Sequence, residues 1–145
     1  MHDLNEKAAQ AKEKKAALGP DIDLSSFTAE SQKHAYVEDL TTLPDQDKRR
    51  IIQSGIDTTQ QGRSGTYLQK DTAVLHSHSM QEGLQVLPIK QALKETDWAQ
   101  EYYWKLVSVD ADKYTSKAQL ELRDGYVIRA LPGSKVIYPV QACLY

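Results

Sequence analysis

The sequence predicts an α+β protein, in which N-terminal helices precede short strands that are interrupted by one helical insertion. Three observations support this class. Up to residue 56 the chain is rich in helix-forming residues and helix-ending signals. Residues 62–87 carry short β-branched and aromatic runs separated by glycines. Residues 88–107 return to a helical pattern, and strand-like segments follow them.

The first predicted helix spans residues 3–18, where alanine, lysine and glutamate dominate, and Gly19-Pro20 would end it. Its apolar face is mostly alanine and buries little surface, so we expect a loosely attached helix. We therefore separate an N-terminal helical segment, residues 1–42, which we expect to be partly mobile, from a domain over residues 43–145.

Two further helices are predicted in the first third of the chain. Thr28 is a candidate N-cap for a helix over residues 29–40. The next helix is predicted within LPDQDKRRIIQSG, residues 43–55, because Pro44 suits a first turn and Gly55 suits the position after a last turn. Its expected core contacts are Ile51, Ile52 and Ile56.

Three apolar runs then predict short strands, at residues 66–68, 73–75 and 84–87. The helical stretch over residues 88–107 has Asp97 as a candidate N-cap. Aromatic and apolar residues four apart predict a stripe on this helix that faces the core, formed by Trp98, Tyr102 and Leu106.

The last part of the chain is predicted to be β-structure. Residues 117–131 indicate a hairpin, because apolar and polar residues alternate and Asp124-Gly125 is a strong signal for a two-residue turn. A second turn at residues 131–134 leads into a final strand over residues 135–145.

Composition and charge argue against several classes of function. The 145 residues carry a formal net charge of −2 with both signs interspersed, so no long-range field would attract nucleic acid or anionic lipid. No apolar run approaches the roughly 20 residues that span a bilayer. With one cysteine and no apolar leader, we expect a cytoplasmic protein that binds neither nucleic acid nor membrane.

His76 and His78 form the sharpest local pattern. Residues i and i+2 of a strand point to the same face, so the two imidazoles could ligate one metal ion, with Glu82 as a third ligand. The alternative is a solvated or hydrogen-bonded strand end, because the surrounding HSHS segment is polar.

Cys143 is the only cysteine. A reactive thiol needs exposure and a lowered pKa, whereas Cys143 lies between Ala142 and Leu144 in an apolar strand. That setting favours a small, buried packing residue, with a reactive thiol as the alternative.

The final apolar strand is a candidate interaction edge, because an exposed apolar edge strand invites pairing. We expect it to pair with a strand of its own hairpin or with another copy of the chain. The residues expected to form this partner-binding or oligomer edge are Val136, Ile137, Tyr138, Val140 and Leu144.

The order of several segments resembles the SufB/SufD family of iron–sulfur cluster assembly scaffolds, in particular its archaeal-type members. The similar segments are GIDTTQQGRSGTYLQKDTAVLHSHSMQEGLQVLPIKQALKE, DWAQEYYWKLV and DGYVIRALPGSKVIYPVQACLY, which fall within residues 43–145. Their order, from a GRSG strand through HSHSMQEGLQV to a DGY strand, carries the resemblance.

The resemblance implies that this chain is a truncated N-terminal piece of a longer protein, and that residues 135–145 lead into the start of a right-handed parallel β-helix. It implies two partners for the full-length protein, an ABC-type ATPase of the SufC type and a second SufB/SufD-like subunit. The iron–sulfur cluster would belong to the full-length assembly. Its ligands are expected beyond residue 145, so this piece itself would hold no cofactor.

Three hypotheses for function follow. The first is a non-enzymatic N-terminal region of a SufB/SufD-like scaffold. The second is a small self-standing metal-binding domain that uses His76 and His78. The third is an enzyme whose site the sequence does not reveal, since neither a Ser-His-Asp order nor a pair of carboxylates stands out.

Overall fold

Groups of helices and groups of strands follow one another in the part of the chain that the computed structural model describes, residues 2–27 and 32–144. The helices are α1 (His2–Gln10), α2 (Asp45–Gln53), α3 (Ile89–Glu95), α4 (Asp97–Tyr102) and α5 (Lys113–Leu120). The strands are β1 (Gly65–Lys70), β2 (Ala73–Ser79), β3 (Leu84–Pro88), β4 (Tyr126–Ala130) and β5 (Val140–Leu144). Short 3-10 turns occupy Leu24–Ser26 and Leu40–Thr42. The predicted α+β class is confirmed.

The strands form two small sheets. In the first sheet β1 is central, with β2 antiparallel on one side and β5 parallel on the other. The second sheet pairs β3 with β4 in antiparallel register. Residues in register share a face, so Leu68 and Cys143 lie on one face of the first sheet, and Tyr67 and Ala142 on the other.

The chain divides into two compact units, each built from two segments. One unit combines Met1–Glu30 with Thr96–Arg123 and contains α1, α4 and α5. The other combines Ser31–Glu95 with Asp124–Tyr145 and contains α2, α3 and both sheets. The sequence-based division at residue 42 stays a separate prediction about domain organisation.

In the unit with the sheets, the first sheet is covered on both faces. Gly65 permits the close approach of β3, because a Cβ at this position would lie 2.7 Å from Val86 Cγ2. A buried cluster joins this face of the first sheet to β3: Tyr67, Leu84 and Val86. Another buried cluster packs α2 and its neighbours on the opposite face: Leu40, Ile51, Ile56, Leu68 and Leu75.

The other unit packs α1 on α5. Ala8 is fully buried, and its carbonyl accepts a hydrogen bond from Ser116 Oγ at 2.6 Å. The predicted helix over residues 3–18 is too long, because backbone groups beyond Gln10 bond elsewhere. The Lys14 carbonyl accepts from the Lys113 N–H, and the Ala17 N–H donates to the Asp112 carboxylate, both at 3.0 Å.

The second predicted helix is also wrong where the structure describes it. Thr28, its candidate N-cap, and residues 29–31 lie outside the described residues. Residues 32–39 are not helical. The Val37 N–H donates instead to the Leu75 carbonyl of β2 at 2.7 Å, so a contact with the sheet replaces the helical bond.

The predicted hairpin over residues 117–131 has only its second arm, β4. The residues predicted to form its first arm belong to α5 instead. Asp112 caps this helix by accepting from the Tyr114 and Thr115 amides at 2.9 and 3.0 Å. Thr115 Oγ1 completes the capping box by accepting from the Asp112 N–H at 3.1 Å. Asp124-Gly125 therefore lies in the segment that joins a helix to a strand.

Other elements match their predictions in part. α2 begins after Pro44 and is followed by Gly55 at φ +93°, and β1, β2 and β3 contain the three predicted strands. However, Ile52 is 55% exposed rather than in the core. α4 has Thr96 at its N-cap and ends before Leu106, which is fully exposed. The final strand is confined to β5, and Tyr145 lies outside the described residues.

Candidate functional site

β2 carries the predicted histidine pair. The rings of His76 and His78 meet edge to face, with centroids 6.0 Å apart. His76 is 1% exposed, whereas His78 and Glu82 are exposed. Within residues 2–27 and 32–144, no group of three or more His, Cys, Asp or Glu side chains is placed to hold a metal ion.

Both ring nitrogens of His76 contact protein oxygens. Nδ1 lies 2.8 Å from the Val37 carbonyl oxygen, and Nε2 lies 3.2 Å from Gln60 Oε1. Burial lowers the pKa of His76, which favours the neutral ring. A metal ion at Nδ1 or Nε2 would have to replace one of these contacts. Metal binding by His76 and His78 stays a prediction.

The segment around Val37 covers the outer edge of β2. Besides the Val37 bond to β2, the Tyr36 hydroxyl donates to the Ser77 carbonyl at 3.0 Å and accepts from the Ser77 N–H at 3.2 Å. The Tyr36 ring also stacks on His76, with centroids 6.2 Å apart. One edge of the first sheet is therefore closed.

The opposite edge of the first sheet is β5, and no strand in the described residues pairs with its outer side. The predicted edge residues lie in β5 or just before it. Val140 packs against the Tyr67 cluster. The others are exposed to 39–72%: Val136, Ile137, Tyr138 and Leu144. The open edge of the sheet thus carries apolar residues.

Gln141 holds β5 in place and was missed by the sequence analysis. Its side chain is buried. Oε1 accepts from the Asp57 N–H at 2.9 Å and from Arg63 Nε at 3.2 Å. Nε2 donates to the Asp57 carbonyl and to Thr66 Oγ1, each at 2.9 Å. The available signal was a lone glutamine inside an apolar strand, since a buried amide needs partners.

Cys143 lies on the face of β5 that packs against the buried Leu68 cluster. Its side chain is partly buried, and Sγ lies 3.9 Å from the Ser54 carbonyl oxygen. This placement is compatible with a packing residue. The reactive-thiol alternative stays a prediction.

These features describe an α+β protein. Within the described residues it has one parallel strand pair, β1 with β5, and β5 forms an open edge of the first sheet. No protein-family model matches the chain. Over its whole length it is 33% identical to iron–sulfur cluster assembly SufBD family proteins of two Methanothermobacter thermautotrophicus strains, Winter and Delta H. Over 99 residues it is 46% identical to an Archaeoglobus fulgidus protein with the same description. The chain belongs to the SufBD family of iron–sulfur cluster assembly proteins, as the resemblance predicted.

The chain covers only part of these relatives. It spans 37% of the length of the Methanothermobacter proteins and 27% of the Archaeoglobus protein. Among the described helices, none has the length and apolar character needed to cross a bilayer.

Proposed function

We propose that this chain contributes a non-catalytic structural region to a scaffold for iron–sulfur cluster assembly. The observation that carries the proposal is 33% identity, over the whole chain, to proteins described as iron–sulfur cluster assembly SufBD family members. In this proposal the cluster is the product of the full-length assembly, and its ligands lie outside this chain.

The open edge of the first sheet supports a role as the start of a parallel stack. β5 runs parallel to β1, and parallel strands are normally covered by further structure on both sides. Ala142 shares a face with buried Tyr67 but is itself exposed, and Leu144 on the same face is 57% exposed. A further parallel strand beside β5 would extend this sheet and cover part of that surface. We propose that a right-handed parallel β-helix begins at β5.

The proposed assembly is cytoplasmic and contains two further proteins. One is an ABC-type ATPase of the SufC type, which would supply energy, and the other is a second SufB/SufD-like subunit. The family resemblance supports these partners. In the absence of such partners, the apolar edge from Val136 to Leu144 would associate with a second copy of the chain.

A chimera tests this function. The segment of the Methanothermobacter relative that aligns with this chain is replaced by this chain, and the purified chimera is incubated anaerobically with iron, a sulfide source and the SufC-type ATPase. We expect ATPase binding and the visible absorption of an iron–sulfur cluster, both close to the levels of the unaltered relative.

Substitutions in the same chimera test the role of β5. Ala142→Asp and Leu144→Asp place a charge where the next strand is proposed to pack, so both should lower cluster yield several-fold. Leu18→Asp, at a 90% exposed position outside β5, is the matched control and should have no effect. A folded chimera that neither binds the ATPase nor forms a cluster, when the unaltered relative does both, would contradict the proposed function.

A further inference from the structure

A pocket of about 420 Å³ lies within the unit that contains α1 and α5. Its walls come from the turn after α1, the 3-10 turn Leu24–Ser26 and one face of α5. The residues that give the pocket its chemistry are Lys12, Leu24, Lys113, Lys117, Leu120 and Glu121.

Three lysines line this pocket. Lys113 and Lys117 are four residues apart on α5 and therefore share a face. Lys113 Nζ lies 2.8 Å from Asp21 Oδ1, and Lys117 Nζ lies 2.9 Å from Glu121 Oε1. Lys12 is exposed and has no ion pair within residues 2–27 and 32–144.

Acidic side chains also lie near these lysines. Lys117 and Glu121 are 40% and 44% exposed, and such exposed ion pairs are weak, whereas the Lys113 side chain that pairs with Asp21 is only 15% exposed. Asp23 is directed to the 3-10 turn, where it accepts from the Ser25 N–H and hydroxyl at 2.9 and 2.8 Å. Among the residues that the structure describes, only Glu121 contributes a carboxylate to the lining.

The pocket also has an apolar part. Leu24 and Leu120 face it from two different elements, and Leu120 is 37% exposed. Small-molecule sites combine apolar walls with a few polar groups that fix the orientation of the ligand. The lining therefore favours a ligand that has an anionic group at one end and an apolar group at the other.

We propose that this pocket binds a small organic anion. Its carboxylate or phosphate group would contact Lys12 and Lys117, and its apolar group would lie between Leu24 and Leu120. This site is separate from the β5 edge used in the proposed function, because its lining comes only from residues 12–25 and 113–121.

The first test is a titration of the chain with phenyl phosphate, followed by the amide NMR signals of Lys12, Ser25 and Lys117. We expect saturable shifts with a Kd of about 1 mM or lower. Inorganic phosphate tests the anionic part and should bind more weakly, and phenol tests the apolar part and should shift these signals little. Added sodium chloride should weaken binding of phenyl phosphate. The absence of saturable shifts at these residues, or equal binding of phenol, would overturn the proposal.

Charge variants provide the second test. The double substitution Lys12→Gln with Lys117→Gln should weaken phenyl phosphate binding about tenfold. Lys15→Gln is the matched control, because Lys15 is exposed on the same segment and does not line the pocket. Glu121→Gln should tighten binding several-fold by releasing Lys117, an effect that a purely structural role of this pair would not produce. Equal weakening by Lys15→Gln, or unchanged binding in both the double variant and Glu121→Gln, would refute the proposed site.

Discussion

Replacing Gln141 with leucine tests how β5 is held on β1. The substitution preserves approximate volume but removes four hydrogen bonds, two to the backbone of Asp57 and one each to Arg63 and Thr66. A neutral hydrogen bond contributes about 0.5–1.5 kcal/mol net, and bonds that share one side chain are not fully additive. We therefore expect Gln141→Leu to lower the free energy of unfolding by about 2–4 kcal/mol.

Gln85→Leu is the matched control, in β3 of the same unit. Gln85 Oε1 is buried and has no hydrogen-bond partner among the described residues, so its removal eliminates an acceptor that is unpaired there. We expect the free energy of unfolding to change by less than about 1 kcal/mol, in either direction.

Urea unfolding followed by far-UV circular dichroism measures both substitutions. Tryptophan fluorescence is unsuitable here, because Trp98 and Trp104 lie in the unit that does not contain Gln141. Amide hydrogen exchange in β1 and β5 gives a local reading, and Gln141→Leu should speed exchange there. Equal destabilisation by Gln141→Leu and Gln85→Leu would refute the reasoning, because the hydrogen bonds of Gln141 would then have no special contribution.

Three other substitutions test the account. Burial lowers the pKa of His76 below its ordinary 6.5, so the folded state resists protonation of this ring. The free energy of unfolding should therefore fall as the pH drops below about 6.5. In urea titrations between pH 7 and 5, His76→Gln should make the free energy of unfolding depend less on pH. Asp112→Ala removes the cap of α5 and should lower the free energy of unfolding by about 1–2 kcal/mol, measured by tryptophan fluorescence. Asp97→Ala, at an exposed position in the first turn of α4, should lower it less. Gly65→Ala should lower the midpoint of thermal unfolding, because the added Cβ would lie 2.7 Å from Val86 Cγ2. Gly125→Ala should lower it less, because the nearest neighbour of that Cβ would be 3.6 Å away.

Local signals predicted the elements that local interactions determine. Pro44 and Gly55 mark both ends of α2 because their backbone preferences suit those positions. The hairpin prediction failed because it relied on Asp124-Gly125 and did not use the capping pair Asp112 and Thr115, which begins a helix twelve residues before Asp124. The prediction of a helix before α2 failed for a nonlocal reason, because the Val37 backbone forms its hydrogen bond with β2 rather than within a helix.

In the candidate sites, too, the sequence predicted local arrangements but not contacts between distant residues. The period of a strand predicted that His76 and His78 share a face, and their rings meet in the structure. The contacts of His76 with Val37 and Gln60 join residues 39 and 16 positions apart, and sequence spacing gives no hint of either. The pairing of β5 with β1 joins residues 75 positions apart, such as Thr66 and Gln141, so the predicted pairing of the final strand with its own hairpin was wrong.

The most direct test of the central claim measures metal content and mass together. The claim is that this chain contributes structure to an iron–sulfur scaffold rather than a metal site of its own. The chain is purified anaerobically, and elemental analysis is combined with light scattering. We predict no stoichiometric metal and a dimer or larger species formed through the edge of β5. Iron or zinc near one ion per chain in a monomer, lost in His76→Ala, would contradict the claim and assign the function to the histidine pair.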